Sequence, residues 1–249
     1  MLSVVVLTFL AGSGVPHARG APTAPERYEQ WLKLVTGGRQ VGFAHVRTDP
    51  KNADSFTLLA KLGALEQKKI VEVELKCEFV RTNAGWRPQR IELQLDRAGT
   101  RALLGELVFD VEKQRLTESY RRAADGEMVV REHAYGGEAV LIPSAIAVLG
   151  PLILNTEGAA DVLLLQLPHG TSGPLLSDEK LSGKLTRKRS AAGATTFKFE
   201  SAARGLVHEL HAELGANGGL EVETWLPNHR LEPTSEPLVR AWHREQTKE

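Results

Sequence analysis

The chain contains a single cysteine, Cys77, in 249 residues, so no intrachain disulfide is available and an exported chain would have to hold its fold without one. At this length apolar burial suffices for that. An excess of charge of either sign is also missing: Lys plus Arg and Asp plus Glu number 31 each, so no global field draws the chain to DNA, RNA or an anionic membrane. Nucleic acid is not an expected partner. The sequence shows no regular strand-helix alternation of the kind a doubly wound parallel sheet requires, and no fixed-period repeat.

A run long enough to cross a bilayer as a helix is lacking too. The apolar stretch at residues 2–10 is too short for a span and reads as the apolar core of a signal peptide. Ala18-Arg19-Gly20 puts small residues where a signal peptidase reads, with cleavage before Ala21, and a second candidate cut follows Ser13. No Lys or Arg precedes Leu2, and a buried N-terminal strand is the alternative. Leu10-Ala11-Gly12-Ser13 has the outline of a lipoprotein box with Ser in place of the acylated Cys, so no lipid anchor is expected. The expected organisation is a signal peptide at 1–20, a leader at 21–27, one antiparallel β domain at 28–236 and a peripheral tail at 237–249. The expected location is periplasmic or extracellular.

What the chain has in quantity is alternation. Val71, Val73, Leu75, Cys77 and Phe79 share one parity and Glu72, Glu74, Lys76 and Glu78 the other, which places the two sets on opposite faces of a strand. After Asn83-Ala84-Gly85 the alternation resumes with Ile91, Leu93 and Leu95, predicting a hairpin. Strands are predicted likewise at 28–35 and 39–48 around Thr36-Gly37-Gly38, and at 55–61, 103–111, 115–121 and 127–135. Further strands are predicted at 161–167, 184–190 and 194–201. A final hairpin of 205–214 and 220–226 turns at Gly215-Ala216-Asn217-Gly218-Gly219. The fold class is mainly β: a curved antiparallel sheet or incomplete barrel with a short apolar helical insert.

That insert lies between Ala139 and Leu154, where the chain carries no charge. Residues 144–149 suit a short helix ended by Gly150-Pro151, apolar on every side and therefore covered on every side. It is either a core plug closing one opening of the sheet or the wall of an apolar cavity. On the second reading Leu141, Ile142, Ile146, Leu149, Leu152 and Leu154 are the ligand-binding candidates.

Motifs for chemistry are weak. His208-Glu209-Leu210-His211 spaces its histidines three apart where the zinc-protease helix needs four, and on a strand the two rings point to opposite faces. Residues 206, 210 and 214 also fit a helical face. Ser144 lacks the glycines of a nucleophile elbow, and Gly170-Thr171-Ser172-Gly173 lacks the Lys of a phosphate loop. The carboxylates fall on the solvent parity of the predicted strands, and no pair stands out for acid-base work. Lys184, Arg187, Lys188 and Arg189 suit a charged edge strand. Cys77, on an apolar parity, suits an inert buried thiol. No metal, cofactor or catalytic residue is expected.

Several of these features occur in a familiar order. Trp31 precedes Gly38-Arg39-Gln40-Val41-Gly42-Phe43, paired strands follow, Leu141-Ile142-Pro143-Ser144 opens the apolar segment, and Glu223-Thr224-Trp225-Leu226-Pro227 with Arg230-Leu231 closes the series. In this the chain resembles exported bacterial β proteins, some of which accompany transglutaminase-like enzymes. More distantly it is similar to the LolA-like lipoprotein-carrier fold, a curved antiparallel sheet around short helices. The resemblance implies a half-open barrel and an apolar ligand, and carries over no catalytic residue. The expected function is a non-catalytic envelope protein binding a lipid or other apolar ligand. A structural or protein-interaction module with an envelope protein as partner is the alternative, and a hydrolase the third.

Overall fold

The computed structural model describes residues 25–66, 69–97, 100–121, 126–165, 176, 182–203, 206–225 and 229–247. The loop at 168–174 and most of the proposed export signal and leader lie outside them. β1 (Glu29–Thr36), β2 (Arg39–Asn52), β3 (Ser55–Glu66), β4 (Lys69–Thr82), β5 (Gly85–Arg97), β6 (Thr100–Asp110), β7 (Arg115–Arg121) and β8 (Met128–Ala134) form a meander, each antiparallel to the next. Gly37 and Gly38 both take left-handed φ, 57° and 78°, as the tight β1–β2 turn requires. The parity read from the sequence holds: Leu75, Cys77, Phe79, Ile91, Leu93 and Leu95 are buried on one face.

β9 (Ala139–Leu141), α1 (Ile146–Ile153) and β10 (Gly158–Leu164) follow, then β11 (Ser182–Arg189), β12 (Thr195–Ala203), β13 (Leu206–Leu214), β14 (Leu220–Trp225), β15 (His229–Thr234) and α2 (Glu236–Gln246). The expected, mainly antiparallel sheet is what forms, with one parallel pair in it. β9 and β10 run parallel, with Val140 opposite Leu163, and α1 is the crossover that parallel neighbours need. β11 is no edge strand, because it pairs with both β10 and β12; the edges are β8 and β9.

All strands belong to one open sheet in the order β8-β7-β6-β5-β4-β3-β2-β1-β15-β14-β13-β12-β11-β10-β9, the chain's last strand pairing with its first. β5 is fourth in that order and β9 fifteenth, which in a flat sheet would separate them by about 50 Å at the usual strand spacing. They are in contact, so the sheet is curved, and α1 lies in the hollow against β5, β9 and β13. One continuous apolar core lines that hollow, from Leu32 and Leu58 through Leu107 and Ile146 to Phe197 and Leu231.

The predicted insert is a helix, but it starts later and runs further than the sequence implied. Gly150 and Pro151 do not end it. A Cβ on Gly150 would sit 3.0 Å from the Phe197 ring, so glycine there lets α1 lie close against β12. Pro151 falls within the helix and deletes one backbone donor near its end.

The segment read as a peripheral tail forms α2 on the opposite, outer face of the sheet. Pro237 suits its first turn, and Glu236 at the start and His243 and Arg244 at the end complement the helix dipole. Val239 and Trp242 bury themselves against Phe43 in a small cluster separate from the main core.

Candidate functional site

The six apolar candidates converge on the hollow. Leu141 at the end of β9, Ile142 just after it and Ile146 on α1 are fully buried, Leu149 and Leu152 nearly so, and Leu154 is half-buried. They pack into the main core as a plug does. Their enclosure follows from composition: α1 carries no acidic residue in its first turn and no basic residue in its last, so every face is apolar and every face is covered.

The turn that seats α1 is built differently. Between β9 and the helix, Ser144 takes a left-handed φ of 71°, shared among the described non-glycine residues only by Gln114, and such a conformation carries strain for an L side chain. Ala145 at the N-cap supplies no side-chain cap, and the Ser144 hydroxyl is buried without a hydrogen-bond partner. The Ser144 N–H instead donates to both carboxyl oxygens of Glu223 on β14, at 2.9 and 3.2 Å.

Glu223 is fully buried, with Ala212 and Leu231 as its cross-strand neighbours. Burial pushes its carboxyl up to about 7, and the Ser144 N–H opposes this only in part. Tyr28 is half-buried nearby and its phenol is pushed up to about 12, first by burial and then by the charge of Glu223. Its hydroxyl donates to Gln30, whose amide donates to the Leu220 carbonyl at 3.0 Å.

A second buried carboxylate, Glu118 on β7, accepts the Leu176 N–H at 2.8 Å and faces His133 Nε2 of β8 at 3.0 Å. The expectation that carboxylates keep to solvent is thus corrected at two positions. Glu118 was visible in the sequence, since it shares parity with Leu116 and Tyr120. Glu223 was not. Leu214 pairs with Leu220 and Glu213 with Val222, leaving Glu221 as an extra residue, and this bulge turns Glu223 inward.

Residues 206–214 are a strand, as the glycine-bounded context predicted; His211 lies opposite Lys198 and Thr224, and His208 opposite Ser201. Among the described residues no three His, Cys, Asp or Glu side chains converge as a metal site would. Ser144 does sit at a strand-turn-helix junction with positive φ, the backbone of a nucleophile elbow, but the side chain bonded to its turn is a carboxyl in a dry core. Cys77 is fully buried, and burial pushes its thiol up.

No protein-family model matches the chain, and no curated protein matches its sequence. Two solved structures are similar in fold. One is a β-barrel-like protein of the domain of unknown function DUF1849 from Brucella abortus, 7% identical over 84% of this chain and 96% of the other, with a TM-score of 0.47. Another is a DUF1089 family protein from Pseudomonas aeruginosa, 13% identical over 76% of this chain and 91% of the other, with a TM-score of 0.43. Neither connects the chain to LolA-like carriers or to transglutaminase-associated proteins.

Proposed function

We propose that this is an exported, non-catalytic envelope protein that binds a lipid or other long apolar ligand in the hollow of its curved sheet, where α1 is a movable wall of the site. The observation that carries the reading is the concentration of unfavourable features at the turn seating α1. A strained serine, an unpartnered buried hydroxyl, an uncapped helix and a buried carboxyl meet within one contact. Along β4 and β7, by contrast, the buried positions follow the parity of the strand. Local rules broken together at one place mark a functional rather than a purely structural element.

The alternative, a structural module with no ligand, is favoured by how completely α1 fills its place. The two separate on binding. A fluorescent fatty acid is expected to bind the wild type and to bind Ile146→Glu more weakly, with unfolding curves confirming that the variant is folded. If the probe does not bind the wild type, or binds a folded Ile146→Glu as tightly, the ligand reading fails and the structural module replaces it.

A further inference from the structure

We infer that Glu223 and Ser144 form a proton-operated latch: α1 is held in the hollow while the Glu223 carboxyl is neutral and loosened when it ionises. The contact joins two distant parts of the chain, the last long hairpin and the turn before α1, through one backbone N–H shared by both carboxyl oxygens. A neutral carboxyl suits this dry surrounding. Its own proton needs an acceptor, and the partnerless Ser144 oxygen in the same turn has that capacity to spare.

Among the described residues an ionised carboxylate here has a single N–H for two oxygens. It gains little from its neighbours. Ala212 and Leu231 flank it on β13 and β15, and α1 offers no charged group. On the same side of β15 lies His229, engaged with Thr36, and from the N-terminal side come the Tyr28 hydroxyl and the neutral Gln30 amide. On β14 itself Glu221 is exposed. Among these groups none is a fixed cation that would compensate the carboxylate. Lifting the turn hydrates the charge, and the turn that lifts is the one that seats α1.

The sign follows from the two states. With the turn lifted, Glu223 ionises near the ordinary carboxylate value of 4.5; with the turn seated it ionises near 7. Opening therefore becomes about tenfold easier for each pH unit between those values and levels off above them. The latch rests on the ligand reading only for what enters beside a loosened α1, because its test uses no ligand. A failed fatty-acid screen and a failed latch are distinguishable results.

The test is amide hydrogen exchange of the full chain as a function of pH, read at Val148, Leu149 and Leu154 after division by the intrinsic rate. The first two amides donate to the Ala145 carbonyl and the third to Gly150, so all three report the seating of α1. Opening is expected to rise about fortyfold between roughly pH 5 and pH 7 in the wild type and to stay flat in Glu223→Gln. Ser144→Gly, which keeps the N–H and relieves the left-handed φ but deletes the acceptor for the carboxyl's proton, should show a shallower rise with pH than the wild type. A wild type whose α1 protection is flat with pH, rises with pH, or falls equally in Glu223→Gln overturns the latch.

Discussion

Glu223 makes the fold depend on pH in an unusual direction. Its carboxyl binds a proton more tightly when folded than when unfolded, so its contribution is fully present below about pH 4.5 and is lost as the pH rises through 7. The difference between those values is worth about 3 kcal/mol. In urea unfolding Glu223→Gln should therefore match the wild type at low pH and exceed its stability by up to about 3 kcal/mol near pH 8, its amide donating to the free Ser144 oxygen. A variant less stable than wild type at high pH would show the carboxylate to be favourable there. Near pH 8, where Glu223 has lost its proton and the Ser144 oxygen has none to accept, Ser144→Gly should add roughly 1 kcal/mol by removing left-handed strain. Cys77 should label no faster than global unfolding allows, and Leu75→Ala beside it should cost about 2 to 5 kcal/mol. The burial of Cys77 was legible because β4 pairs with β3 in unbroken register along the whole stretch. That of Glu223 was hidden by the bulge at Glu221, a property of the β13–β14 pairing that no period within β14 reveals.

Elements were legible in proportion to their length and the purity of their period. The long strands β2 to β7 announce themselves by alternation, whereas β9 has three residues and β15 has six with Pro233 among them. α2 buries only Val239 and Trp242 and leaves Leu238 exposed, too thin a stripe to stand out from a polar tail. α1 was seen, but Gly150-Pro151 looked like a stop because the close approach of Phe197 is a tertiary fact. A similar close approach exists on the outer face. A Cβ at Gly63 would overlap the Phe43 ring, which in turn supports Trp242. Gly63→Ala is thus expected to displace Phe43, lower stability by about 1 to 3 kcal/mol and raise hydrogen exchange in α2. Unchanged unfolding and unchanged α2 exchange would mean that the ring has room to move without loss.

At the scale of the molecule, one sheet curves until its fourth and fifteenth strands share a core, and the hollow so formed holds an uncharged helix. The curved β architecture was readable from alternation and turns. The contents of the hollow were readable only as an uncharged run, since the side chains that enclose it come from strands far apart in sequence. Export is part of the same proposal: N-terminal sequencing of secreted protein should give a chain beginning at Ala21, and recovery of intact Met1 in the cytoplasm would remove the envelope setting. The most direct test of the central claim is native mass spectrometry of the full-length protein expressed in bacteria and purified from their envelope without detergent exchange. A population heavier by one acyl lipid is expected, diminished in Ile146→Glu. Protein recovered at its bare mass, which also takes up no added palmitate, would contradict it.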